Sequence, residues 1–275
     1  MAAENNPLRQ YFRKPAIYIK LPSGGRQYKP GIVDLPENGE LPVYSMTALD
    51  EITVRTPDAL FNGQAVVDLI KSCVPNIKEP WKINSIDLDA LLIGIRTATD
   101  GNKHEISTVC PACKEAAIYD INLVGCLNDL NPRSYEQEYM IGPLTFKFKP
   151  LSYKDLNDVN LKQFEIQRLF ETAQSLTETD QIARTKQAHI MISEMAMNAI
   201  SKSIEYVKTD TIYVDQSEYI LDFIKNAEKA LYEEVKGKTI ELKQSAQIKP
   251  LKMKCMHCGH DYEQEFTLNI SDFFE

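Results

Sequence analysis

Cys110-Pro111-Ala112-Cys113 and Cys255-Met256-His257-Cys258 are two C-x-x-C turns in one chain, and their reading decides the fold. Such a turn brings two thiolates to one point with backbone N–H groups directed at the sulfurs. Two of them facing each other supply the four soft ligands of a tetrahedral zinc. Each pair has a matching context. The extended run His104-Glu105-Ile106-Ser107-Thr108-Val109 precedes Cys110, and Ala116-Ala117-Ile118-Tyr119-Asp120-Ile121 follows Cys113. Leu251-Lys252-Met253-Lys254 and Tyr262-Glu263-Gln264-Glu265-Phe266-Thr267-Leu268 flank the second pair in the same way. Both read as β-hairpins with a cysteine knuckle at the tip. About 140 residues separate Cys113 from Cys255, where an ordinary zinc ribbon has roughly 15 to 20. If Cys110, Cys113, Cys255 and Cys258 share one zinc, the residues between the knuckles form an insertion whose ends the metal and the hairpins hold together. Four thiolates with no open position describe a structural rather than a catalytic site. His257 and His260 stand nearby as alternatives to a cysteine ligand. A thioredoxin-like redox pair is disfavoured, because a helix would have to begin at Cys110 and the residues after Cys113 alternate as a strand.

The rest of the composition frames that reading. With 43% apolar and 25% charged residues over 275 positions, the chain can bury a core without disulfides, so its six cysteines need another explanation. Cys73, inside the apolar run 66–74, reads as a buried core thiol. A net charge of -8 argues against a phosphate backbone as the main partner and favours a protein or small molecule. No run reaches the roughly 18 apolar residues of a membrane span, and Met1-Ala2-Ala3-Glu4-Asn5-Asn6 lacks a basic region followed by an apolar one, so a soluble, unsecreted chain is expected.

Outward from the knuckles, residues 1–15 are polar or proline-bearing and read as an arm that orders against a neighbour. Ile17-Tyr18-Ile19-Lys20-Leu21 reads as a strand closed by the turn Pro22-Ser23-Gly24-Gly25, and Glu40-Leu41-Pro42-Val43-Tyr44 as a second extended segment. Thr47 caps a short helix, Thr56-Pro57-Asp58 starts another, a third runs from Gln64 to Cys73, and Ser85 caps a helix with Leu88, Leu91, Leu92 and Ile95 on one face. The expected fold class is therefore α+β: residues 16–126 with 247–275 form a small zinc-closed body. Residues 127–246 form a mostly α-helical insertion. After a strand over 144–149, Ser152 and Asp155 suggest a capping box. Apolar periodicity predicts helices over about 153–176 and 180–207, and a third through Ile220, Phe223, Ile224, Ala227, Leu231 and Val235. Three such helices suggest an antiparallel bundle or a splayed arm. Met191, Met195 and Met197 read as core packing, with an adaptable partner face as the other possibility.

None of His104, His189, His257 and His260 stands in a nucleophile or metallohydrolase motif, and no phosphate-cradling glycine loop occurs. No enzyme is expected. The phrases Ile17-Tyr18-Ile19-Lys20-Leu21-Pro22-Ser23-Gly24-Gly25, Leu41-Pro42-Val43-Tyr44-Ser45-Met46-Thr47-Ala48-Leu49-Asp50-Glu51, Thr56-Pro57-Asp58-Ala59-Leu60-Phe61-Asn62-Gly63 and Ser72-Cys73-Val74-Pro75-Asn76-Ile77 occur in order. Over roughly residues 15–150 the chain resembles the baseplate proteins of T4-like contractile-tailed phages. The resemblance implies a component or assembly factor of the central baseplate hub, made in the host cytoplasm. It would act through contacts with other hub and tail proteins or with its own copies, and the family brings no catalytic residues with it. The alternative, from another class, is a zinc-ribbon accessory that binds nucleic acid, for which Lys249, Lys252 and Lys254 beside the second knuckle are the encouragement.

Overall fold

The computed structural model describes residues 7–25, 27–56, 62–173, 178–266 and 268. The helix start expected at Thr56-Pro57-Asp58 and the first part of the expected arm fall largely outside the described residues. The fold is mixed α+β, with small antiparallel sheets, and divides into two compact units: Met1–Pro80, Asp89–Asp129 and Ile248–Glu275 form the first, Trp81–Leu88 and Leu130–Gln247 the second.

In the first unit, β1 (Pro15–Ile19) pairs antiparallel with β2 (Leu41–Tyr44), Ile19 opposite Leu41. Side chains alternate across a strand, so Leu41 and Val43 point inward and are fully buried while Pro42 and Tyr44 are partly covered. Helix α1 (Ala48–Val54) begins at a reciprocal capping box, in which the Asp50 N–H donates to Thr47 Oγ1 and the Thr47 N–H to Asp50. Helix α2 (Gln64–Cys73) buries Ala65, Val66, Leu69, Ile70 and Cys73 and stops at Val74, the residue that Pro75 steers out of helical backbone. Helix α3 (Ser85–Asp100) belongs to this unit from Asp89 onward, its first turn being counted with the second. It is capped by Asn84, not by Ser85 as its sequence suggests: the Asp87 N–H donates to Asn84 Oδ1 at 2.9 Å and Asn84 Nδ2 returns a bond to the Asp87 carboxylate at 3.0 Å. From Ala90 to Ile95 every side chain is buried, so this stretch runs through the core. Gly94 lies against β1 and β2, and a Cβ there would stand 3.0 Å from Ile19 Cδ1 and 3.8 Å from Val43.

Two hairpins complete the unit. β3 (Lys103–Val109) and β4 (Ala116–Asn122) pair from Lys103 opposite Asn122 to Val109 opposite Ala116, and helix α4 (Leu123–Asp129) follows directly.

The second unit is mostly helical, as expected, and adds a sheet beyond the one strand expected over 144–149. It holds the largest sheet of the described chain, four antiparallel strands in the order β5 (Glu138–Ile141), β6 (Leu144–Phe148), β7 (Ile204–Lys208), β8 (Tyr213–Val214). Helices α5 (Tyr153–Ala173) and α6 (Glu178–Lys202) pack on each other, with Phe170 edge-on to His189. The helix expected over 180–207 ends at Lys202; Ile204 and Val207 are in β7 and both reach the core beside Phe146 and Phe148, three residues apart across the register shift opposite Lys147 and Phe148. The helix expected through 220–235 is two, α7 (Ser217–Asn226) and α8 (Lys229–Ala246). Asn226 Nδ2 donates to the Asp222 carbonyl at 2.8 Å, and Ala227 and Glu228 then take extended backbone. The apolar period survives the break, since Ile220, Ile224, Val235 and Leu242 all enter the core with Phe146 and Phe148. Of the bundle or splayed arm suggested by periodicity, α5 and α6 pair with each other, while the end of α6 with α7 and α8 packs on the sheet. Ser152 and Asp155 cap α5 as expected, Asp155 N–H donating to Ser152 Oγ at 3.2 Å.

The close approach at Gly94 has a measurable consequence. Gly94→Val forces methyls into Ile19 and Val43 and destabilises the protein by about 1–3 kcal/mol, read as a lowered urea midpoint with an unchanged slope.

Candidate metal centre

The second knuckle hairpin is β9 (Leu251–Lys254) with β10 (Asp261–Gln264), Lys254 opposite Asp261. The two knuckles fold by the same local bonds. In the first, the Cys110 N–H donates to the Glu115 carbonyl and the Lys114 N–H to the Cys110 carbonyl, both at 3.0 Å. In the second, the Cys255 N–H donates to the His260 carbonyl and the Gly259 N–H to the Cys255 carbonyl, both at 2.9 Å. The residue after the second cysteine is left-handed in each, Lys114 at φ 63 and Gly259 at φ 74. That turn geometry follows from the six-residue spacing between strands, and it aims both sulfurs of a knuckle the same way.

The knuckles face each other. Cys110 Sγ lies 3.8 Å from Cys258 Sγ and Cys113 Sγ 3.7 Å from Cys255 Sγ, with all four sulfurs within 4.8 Å of one another. A tetrahedron with metal–sulfur bonds of about 2.3 Å has edges of about 3.8 Å, so the donor set has the size and softness that zinc requires. The four cysteines could hold a metal ion. Neither His257 nor His260 joins the cluster among the described residues; both are exposed. Tyr119 bridges the hairpins, its hydroxyl donating to the Lys254 carbonyl at 3.2 Å and accepting from the Met256 N–H at 3.3 Å. Thr108 Oγ1 adds a bond to Gln264 Oε1 at 2.8 Å.

The thiols are electrostatically unequal. The Cys258 N–H, helped by that of His257, brings the Cys255 thiol down to about 6 against the cost of desolvation. At Cys113 the Glu115 backbone contact favours the thiolate, but desolvation and the other three sulfurs outweigh it and push the thiol up to about 12. One sulfur of the group thus ionises readily and discourages the next, and a divalent cation supplies the charge that lets all four ionise.

Cys73 is buried as expected, and it belongs to a polar cluster that sequence reading missed. The Arg13 guanidinium reaches the Asp50 carboxylate at 3.1 Å, the Ser72 carbonyl at 2.8 Å and Ser72 Oγ at 2.7 Å, with further contacts to the Ser45 carbonyl and Cys73 Sγ. Burial raises the Asp50 carboxyl, but bonds from Thr47 and Ser72 and the charge of Arg13 prevail and hold it below its ordinary value. Burial, then the Asp50 charge, pushes the Cys73 thiol up to about 11, which makes it inert. Of this cluster's surroundings, only the Thr47 cap was legible locally. Arg13 also ties the end of the expected arm to the chain's own body. The basic residues beside the second knuckle have acidic neighbours: Lys254 stands opposite Asp261 and Lys252 opposite Glu263.

The fold and the cluster define a mixed α+β chain whose two cysteine knuckles can hold one metal. A family model described as T4 bacteriophage base plate protein matches residues 17–275, and the chain belongs to that family. Membership points to a structural role in a phage baseplate, built with other baseplate proteins. No curated protein and no solved structure is similar enough to match. Among the described residues no helix is long and apolar enough to cross a membrane.

The two left-handed positions make opposite predictions. Gly259 has open space around it, so Gly259→Ala costs about 1 kcal/mol through backbone conformation alone. Lys114→Gly removes the same strain and leaves stability unchanged or raised. Thermal unfolding of the two variants against the parent protein checks the signs.

Proposed function

We propose that the protein is a structural or assembly component of the baseplate hub, acting by protein–protein contacts, with a structural zinc held by Cys110, Cys113, Cys255 and Cys258. The observation that carries the metal reading is the pair of sulfur separations, 3.7 and 3.8 Å, on two knuckles of equivalent backbone geometry. The family match carries the baseplate reading. In this account zinc fastens residues 16–126 to 247–275 as one body, and residues 127–246 are an excursion from it. Zinc would serve as a cross-link without chemistry: four thiolates leave no position for a substrate or an activated water. Residues 1–15 and the outward surfaces of both units meet other hub and tail proteins. The chain is made in the host cytoplasm and acts at the baseplate, as a part of it or during its assembly.

Elemental analysis of the purified protein should find about one zinc per chain, and Cys255→Ser should remove most of it and lower the unfolding temperature. Stoichiometric zinc absent from the parent protein overturns the metal reading and leaves the hub reading standing. The hub reading has its own test. Mass spectrometry of purified tails and of baseplate assembly intermediates should recover the chain with hub proteins in at least one of them, and its absence from all of these particles overturns it.

A further inference from the structure

Two surface features take no part in the cysteine cluster and complement one another in charge. The first is an apolar groove in the second unit. It has a volume of about 190 Å³, lies between the β7–β8 hairpin and α7, and is lined chiefly by Leu144, Val207, Ile212, Val214, Tyr219 and Phe223. It stands at a sheet edge, since β8 is the last strand and only two residues long. Ile212 and Tyr219 form an exposed lip, Tyr219 with 66% of its surface open. The chain that builds the groove wall is acidic. No lysine or arginine occurs between Lys208 and Lys225, whereas Asp210, Asp215, Glu218 and Asp222 do, and Lys208 is engaged by Glu138 at 2.7 Å. The volume is below the roughly 300 Å³ of ordinary small-molecule pockets, a size suited to one or two side chains of a protein partner.

The second feature is the 3₁₀ turn Pro7–Tyr11 with Phe12. Leu8, Tyr11 and Phe12 are all largely exposed, Tyr11 at 77%. The charged residues around it are all basic: no aspartate or glutamate occurs between Glu4 and Asp34, while Arg9 and Lys14 flank the exposed side chains and Lys20 faces Glu40 at 3.7 Å. The turn is positioned, because Arg13 fastens its end to Ser45, Asp50 and Ser72. A segment already held in place loses less entropy on docking than a free tail.

We propose that Leu8, Tyr11 and Phe12 of one copy dock in the groove of a second copy, with the basic flanks of the turn against the acidic groove wall. Donor and acceptor are different surfaces, so the contact is head-to-tail, and repetition generates a ring or an open chain of subunits. Aromatic anchors seated in a pocket and ringed by complementary charge are the usual source of binding energy at such a contact.

The test uses full-length protein in a concentration series by analytical ultracentrifugation. The parent chain self-associates. Phe12→Glu places a carboxylate on the turn, Ile212→Lys an ammonium on the groove lip, and each weakens self-association about thirtyfold or more, the effect of losing an anchor residue. Both positions are exposed, and circular dichroism confirms that each variant is folded. Mixing the two variants restores a single junction, because F12E keeps the groove and I212K keeps the turn, so the mixture forms dimers and nothing larger. A parent chain that stays monomeric overturns the proposal and leaves the groove to another occupant. So does either variant associating as the parent does, or a mixture that forms no dimer.

Discussion

Two hairpins that lie about 140 residues apart in the chain meet at four sulfur atoms, and the arrangement of the first unit depends on that meeting. Distance along the chain is less of an obstacle than it looks. Closing a loop costs entropy that grows only as the logarithm of its length, about 0.6 kcal/mol for each doubling, so a separation far beyond an ordinary ribbon's adds only a few kcal/mol. The second unit lowers that cost further. The Asn131 N–H donates to the Ala246 carbonyl at 3.3 Å and Ser134 Oγ meets Ser245 Oγ at 2.8 Å, so the long excursion brings its own ends together. What is left for the knuckles to close is two short connections. Tyr119 and Thr108 then fasten one hairpin to the other through bonds that require no metal.

Each unit has its own reason to be stable. In the first, β1 and β2 lie against α3, and the exclusion of a side chain at Gly94 lets helix and strands approach. The second is built on stacked Phe146 and Phe148 with apolar residues from β7, α7 and α8. Arg13 and Asp50 are held together by hydrogen bonds to both partners, the condition under which a partly buried ion pair specifies an arrangement. The Asp50 carboxyl is lower in the folded chain than its ordinary value. Its contribution is therefore present above the ordinary carboxylate range and lost as acid brings the pH down through the folded value.

Short-range signals in the sequence were reliable where the physics is short-range. Thr47 with Asp50 and Ser152 with Asp155 mark helix starts because the cap hydroxyl accepts from the N–H three residues on while the carboxylate there reaches back to the cap residue, whatever the context. The knuckle strands alternate as read. Periodicity misled where one apolar spacing serves two geometries. Ile200 and Ile204 fit a helix face, yet Ile204 is in a strand, and the row from Ile220 to Val235 crosses a break without losing phase. The four-stranded sheet escaped notice because β8 has two residues and β5 four, too short for alternation to be distinctive.

By itself the sequence determined the class of the fold, the four cysteines worth watching and the family to which the chain belongs, since composition, hairpin spacing and turn phrases are written locally. Only the tertiary structure decided that the two knuckles converge to sulfur separations of 3.7 and 3.8 Å, that Arg13 reaches Asp50 and Ser72, and that the helical middle of the chain carries a four-stranded sheet. Those outcomes depend on which distant surfaces bury one another. Residues separated by tens to more than a hundred positions carry no mark of their partners until packing selects them.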